Sequence, residues 1–256
     1  MLQISSAAAS HPGLRREKNE DACCVRQDLG LYLVADGMGG HAAGEIASRL
    51  AVEAVEAFIA ESFALGIGGP WPLDYDPARG LTANRLQIAF RLANRKLRAA
   101  IAADGALRNM ATTATGVLVG VDGVAVANVG DSRIYRWRAG ALQQVTRDHS
   151  WVGEQVRAGV LTESAARHHP WRNVVTRALT GGEDPEIEMS DITPEAGDRM
   201  LLCSDGLSGV IAEDALREIV GRATDLATQC QALVDAANAA GGPDNITVVL
   251  LQFDVA

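Results

Sequence analysis

The chain has 256 residues, 48% hydrophobic and 21% charged, the balance of a globular protein whose core must be aliphatic because aromatics are only 4%. A net charge of -9 excludes a nucleic-acid surface, which needs a basic stripe, but not a phosphorylated substrate, because bound metal would reverse the local sign where acids cluster. No apolar run spans a bilayer, and no apolar segment with a cleavage site opens the chain, so no membrane insertion and a cytoplasmic location are expected.

Residues 29–35 (LGLYLVA) read as a buried strand that ends in the turn DGMGG. From Ala42 to Ser62 the positions Ile46, Leu50, Ala54, Val55 and Phe58 recur at helical spacing, with Glu45, Glu53 and Glu56 between them. A Gly/Pro loop follows (GIGGPWPLDYDPARG), and its Asp74-Tyr75-Asp76 reads as a surface turn. The next helix, about Thr82 to Ala103, carries Leu86, Phe90, Ala93, Leu97 and Ile101 on one face, with Thr82 as its expected N-cap. The middle is a run of short β-type segments punctuated by Gly, with a hairpin turn expected at RAG before ALQQV. Residues 149–180 turn amphipathic and then polar, the pattern of a small helical flap. IEMSDI and RMLLCS return to strand, residues 213–240 carry two helices, and ITVVLLQF closes as a buried strand. This order predicts an α+β fold: an α-β-β-α sandwich of two mostly antiparallel sheets flanked by helices, in one domain, 1–256, with the flap at about 149–180.

Three aspartates stand at the edges of apolar strands in glycine-rich turns: Asp36 in LVADGMGGH, Asp205 in LLCSDGLSG and Asp244 in GGPDNITVVLL. A carboxylate there is costly unless something positive neutralises it, and carboxylate, carbonyl and water oxygens suit Mg²⁺ and Mn²⁺ better than Zn²⁺. Singly, each of these elements is also readable as a turn, because Asp and Gly favour turns for local reasons. R-x-x-N-E-D (Arg16, Asn19, Glu20, Asp21) and V-G-D-S-R, with Asp131, add further charge at strand ends. Cys23, Cys24, Cys203 and Cys230 form no CxxC pair and read as structural thiols, and none is followed six positions later by Arg, which disfavours a cysteine nucleophile.

In order and nearly end to end, RREKNEDA, LVADGMGGHAAGE, MATTATG, VANVGDSRIYR, NVVTRALT, LLCSDGL and GGPDNITVVLL resemble the bacterial branch of the metal-dependent (type 2C, PPM) serine/threonine protein phosphatases, over about residues 11–253. The resemblance implies that Asp36 bridges two Mn²⁺ or Mg²⁺ ions, with the Gly37 carbonyl as a ligand. It further implies that Asp205 and Asp244 hold the first ion, that Glu20 and Asp21 surround the second partly through water, and that Arg16 clamps the phosphate. Asp131 would belong to a third, weaker metal, and Thr113 and Asn245 would support the site.

Two positions depart from the family pattern. Where eukaryotic relatives carry a histidine two residues after the bridging aspartate, this chain has Met38; His41 nearby either supplies the leaving-group proton or caps the following helix. Gly209 stands where relatives often carry an aspartate for the third metal, so Asp131 serves either a weakened metal site or structural hydrogen bonding. The resemblance implies hydrolysis of phosphoserine and phosphothreonine in proteins by a metal-activated water, opposite a cognate serine/threonine kinase, by a monomer. The alternative is a pseudophosphatase that binds phosphoproteins without turnover. His149, His168 and His169 are expected to be structural or solvated, and Trp71, Trp151 and Trp171 to be loop anchors or substrate contacts.

Overall fold

The computed structural model describes residues 2–39, 43–65 and 69–255. In chain order it has β1 (Leu2–His11), β2 (Asp21–Arg26), β3 (Leu31–Met38), α1 (Ala43–Ser62), α2 (Leu81–Ala103) and β4 (Ala111–Thr112). β5 (Ala114–Gly120), β6 (Gly123–Val129), β7 (Arg133–Arg138) and β8 (Ala141–Gln144) follow, then α3 (Trp151–Arg157) and α4 (Glu163–Arg167). The chain closes with β9 (Glu188–Ile192), β10 (Arg199–Cys203), α5 (Asp205–Ser208), α6 (Glu213–Val220), α7 (Leu226–Ala239) and β11 (Ile246–Val255).

The strands form a five-stranded sheet, β1-β11-β10-β7-β8, and a six-stranded sheet, β2-β3-β5-β6-β9 with β4 beside β3. Strand periodicity sorts the side chains into three layers. Tyr32, Val34, Val117, Val126, Met200, Leu202, Val249 and Phe253 fill the space between the sheets. The alternate residues, such as Leu33 and Ala35, pack beneath α1 and α2. On the other sheet Leu201, Cys203, Val248 and Leu250 pack beneath α6 and α7. Strands buried on both faces read as continuous apolar runs, which is why these segments were recognisable as strands. The α-β-β-α arrangement is as expected, and every strand pairing among the described residues is antiparallel.

Three local expectations change. Thr82 is not the N-cap of α2: Gly80 occupies that position, and the Thr82 N–H and hydroxyl both donate to the Asp122 carboxylate, which caps the helix from outside. The strand ending at Ala35 runs on to Met38, because β4 pairs with its last two residues. The residues before His11, unassigned from sequence, form a ten-residue strand in register with β11, Leu2 opposite Val255 and His11 opposite Ile246. The Arg138–Ala141 hairpin forms as expected, with Ala139 (φ 49°) and Gly140 (φ 87°) both left-handed. The four cysteines are free, and burial pushes the thiols of Cys24, Cys203 and Cys230 up to about 12, so these three are inert. Among the described residues no helix is long and apolar enough to cross a membrane.

Candidate metal centre

The same alternation that fills the inter-sheet core aims carboxylates into one end of it. Asp36 is in phase with Tyr32 and Val34 on β3, and Asp21 is in phase with Cys23 and Val25 on β2. The antiparallel register sets Asp21 directly opposite Asp36. Like charges so placed repel, an arrangement that a sheet keeps only if something else holds it. On the facing sheet, β10 is followed by Ser204 and Asp205, and β11 is preceded by Asp244 and Asn245. Asp131 sits in the β6–β7 turn and is only 7% exposed.

The backbone around these acids is fixed by side chains. The Asp36 N–H donates to the Thr113 hydroxyl at 3.0 Å, and the Asp36 carbonyl accepts from the Thr113 N–H and the Thr112 hydroxyl, both at 2.9 Å. The Thr113 and Ser132 hydroxyls are 2.9 Å apart, which ties this corner to the Asp131 turn. Asn245 accepts from the Glu20 N–H at 2.8 Å and donates to the carbonyls of Pro12 (2.9 Å) and Lys18 (2.8 Å), locking the Arg16–Glu20 loop onto the start of β11. Thr113 and Asn245 thus fix the backbone that carries these acids. At Gly37 the chain passes so close to the Gly44 and Glu20 carbonyls that any Cβ would collide with them.

Asp21, Asp36 and Asp205 are each partly exposed, Asp205 on the wall of a cleft, yet protein surrounds their carboxyl groups on the other sides. Burial, together with the charges of Asp21, Asp205, Asp131 and Asp244, pushes the Asp36 carboxyl well above the ordinary carboxylate range. Asp21 is pushed up to about 7 by burial, against hydrogen bonds from Ser204 and Thr247. Asp131 is pushed up to about 8, mainly by burial and by Asp205. Asp205 is raised by burial and by Asp244, while a hydrogen bond with Asp36 works the other way. Glu20 is raised by burial, partly offset by Arg16.

The donor set fits a hard divalent cation. One oxygen of Asp21 accepts from the Ser204 hydroxyl at 2.7 Å, while the other is buried without any hydrogen-bond partner. The acids that press on one another supply oxygen donors only, the chemistry suited to Mg²⁺ or Mn²⁺. Among the described residues no three acidic, histidine or cysteine side chains make a compact cage.

The cleft has a volume of about 570 Å³ and is lined by Arg16, Asp131, Asp205 and Asp244 at this end. Arg16 donates to Asp244 at 2.8 Å from a half-exposed position, which sets a cation beside the acids. The sequence-derived site residues Arg16, Glu20, Asp21, Asp36, Gly37, Asp131, Asp205 and Asp244 therefore gather at one end of the sandwich. His41 lies outside the described residues. Sequence reasoning missed Ser204, Thr247 and Ser132; the signal was available, because Ser204 and Thr247 continue the alternation of β10 and β11 onto the Asp21 side.

The remaining singled-out residues sort by packing. His149 is buried, its Nδ1 accepting from the Gly130 N–H at 3.1 Å, a structural role. His168 is exposed as expected, but His169 is half-buried and stacked on Trp151, with ring centroids 4.8 Å apart, because the flap folds its polar segment back onto α3. Trp71 packs between Phe58 and Tyr75 as a loop anchor. Asp76 accepts from the Ala78 N–H and pairs with Arg79, the surface turn expected there.

Comparison with known proteins agrees with this geometry. The profile described as Protein phosphatase 2C matches residues 14–240. The serine/threonine protein phosphatase PstP of Mycobacterium tuberculosis is 37% identical over 97% of this chain, which spans 45% of that relative's length. The serine/threonine phosphatase stp of Listeria monocytogenes is 33% identical over 95% of this chain and 93% of its own. The crystal structure of the PstP catalytic domain in complex with two manganese ions covers all of both chains with a TM-score of 0.84 at 34% identity. Motif order, fold and match over most of its length place this chain in the protein phosphatase 2C family.

Proposed function

We propose that this chain hydrolyses phosphoserine and phosphothreonine in proteins, using two Mn²⁺ or Mg²⁺ ions held at the end of the sandwich. The observation that carries this reading is the convergence of Asp21, Asp36 and Asp205, carboxyls that press on one another beside Asp244 and its partner Arg16. Asp36 would hold both ions with the Gly37 carbonyl, Asp205 and Asp244 the first, and Glu20 and Asp21 the second, partly through water. When bound, the pair supplies Lewis acidity and a water of lowered pKa. Asp131 would serve a third, weaker ion, since Gly209 offers it no second carboxylate.

Arg16 would exchange Asp244 for the phosphate oxygens, its planar fork matching them and neutralising charge as it develops. His41 would give a proton to a poor leaving group. Thr112, Thr113 and Asn245 hold the acid-bearing backbone in place, so little reorganises on reaction. The substrates would be phosphoproteins made by a cognate serine/threonine kinase, and the chain would act as one catalytic domain, 1–256, a monomer in the cytoplasm.

The test is phosphate release from a phosphothreonine peptide. It is expected only with Mn²⁺ or Mg²⁺ and should stop with EDTA. Turnover that survives chelation would contradict the metal reading. Equal peptide binding by wild type and Asp205→Ala, with no turnover by either, would make the chain a binding module.

A further inference from the structure

The cleft has a second, oppositely charged end. Beyond the acids, its wall is the flap, which contributes Arg157, Arg167 and Arg172, together with Arg147 from the segment leading into it. Glu163 belongs to the same wall and Glu213 reaches the cleft from α6, while Arg133 and Asp148 neutralise each other at 2.6 Å. Arg147 has only a loose pair with Glu188 at 3.7 Å, and one nitrogen of Arg157 donates to the Asp148 carbonyl at 2.8 Å. Among the described residues, Arg167 and Arg172 pair with no carboxylate. Four guanidinium groups thus outnumber the acids of the flap wall, on a chain whose net charge of -9 would otherwise repel an anionic segment.

These arginines do not hang from a slack loop. Trp171 meets Trp151 edge-on at 4.7 Å, His169 stacks on Trp151 at 4.8 Å, and the Trp171 N–H donates to His169 Nδ1 at 3.1 Å. Arg167 and Arg172 flank this aromatic clamp, and the Thr162 hydroxyl caps α4, which carries Arg167, at 3.2 Å from the Ala165 N–H. Fixing the backbone beneath an arginine reduces the entropy lost when its fork closes on an anion.

Resting on the phosphomonoester reading above, we propose that the flap wall is an anion subsite, which selects phosphoserine and phosphothreonine segments bearing further negative charge beside the scissile group. That charge would be either acidic side chains or a second phosphate, since both offer oxygens to a guanidinium fork.

The test uses the full chain with Mn²⁺ and three phosphothreonine peptides of one core, with neutral flanks, with Asp and Glu flanks, and with a second phosphothreonine. The proposal expects kcat/KM to be about tenfold higher on a charged peptide than on the neutral one at low salt, the size of two or three partly exposed ion pairs. The advantage should shrink toward unity at high salt. A gain confined to the doubly phosphorylated peptide, or to the acidic one, would identify the anion. The ratio of charged to neutral turnover should fall below one in Arg167→Glu/Arg172→Glu and persist in Arg167→Lys/Arg172→Lys, a pair that keeps charge without altering the fold. Equal turnover of all three peptides by wild type, or an unchanged ratio after charge reversal, overturns the subsite and leaves the hydrolase reading standing. Absence of phosphate release from every peptide overturns the hydrolase reading; fluorescence polarisation of the same peptides then decides the subsite, and equal affinities overturn it.

Discussion

Arg16 is the most exposed of the charged groups gathered at the site, and its only ion pair among the described residues is with Asp244. A residue of this kind should act on substrate rather than on the fold. Arg16→Ala is therefore expected to raise KM about tenfold, the scale of a lost charge-assisted hydrogen-bond pair, while Mn²⁺ affinity stays near wild type. An unchanged KM would remove Arg16 from phosphate binding. His149 makes the opposite case. Burial lowers its pKa, assisted by Arg177 and opposed by Glu188, and its Nδ1 must stay unprotonated to accept from Gly130. A folded pKa below the unfolded one means that the unfolded chain binds the extra proton. Stability from this residue is thus fully present above about pH 6.5 and is lost as pH falls below it. His149→Asn offers an oxygen where Nδ1 sat, and urea melts between pH 7 and pH 5 should show a shallower loss than wild type. A slope identical to wild type would sink this account of His149. Residue identity alone made the acids legible, because an aspartate at the end of an apolar strand is conspicuous; Ser204 and Thr247 carried only the weaker signal of strand alternation, easily passed over because hydroxyls are common in turns and strands alike.

At the level of elements, hydrophobic periodicity located α1, α2 and most strands to within a few residues, and it failed where packing rather than pattern decided. β1 reads as LQISSAAASH, too rich in Ser and Ala to show an apolar stripe, and it forms because the β11 backbone offers ten residues of partner. The start of α2 was misread for a related reason. Thr82 has the right chemistry for a cap, but Asp122, forty residues away in the β5–β6 turn, supplies the acceptor. Asp122→Ala is therefore expected to cost about 1 kcal/mol, the scale of a lost cap. For a chain of this length that should lower Tm by about 2–4 °C. A Tm equal to wild type would show that water replaces the carboxylate there. The flap was visible as a change of composition, yet its clamp of Trp151, His169 and Trp171 was not, since contacts among short helices carry no period.

At the scale of the whole molecule, two sheets, each covered by helices, bring together acids separated by more than two hundred positions, because β2–β3 and β10–β11 end at the same edge. Sequence order could name the motifs, and the strand register explains why they meet. The price of that meeting is a knot of buried carboxyls in mutual repulsion, and the account holds that divalent cations relieve it. Isothermal titration calorimetry of Mn²⁺ into the metal-free chain, run beside the near-isosteric Asp36→Asn, tests this most directly. The account predicts uptake of two ions by the wild type, and a variant that takes up fewer and hydrolyses phosphopeptide at least about a thousandfold more slowly. Absence of uptake by the folded wild type, or undiminished uptake and turnover by the variant, would contradict it.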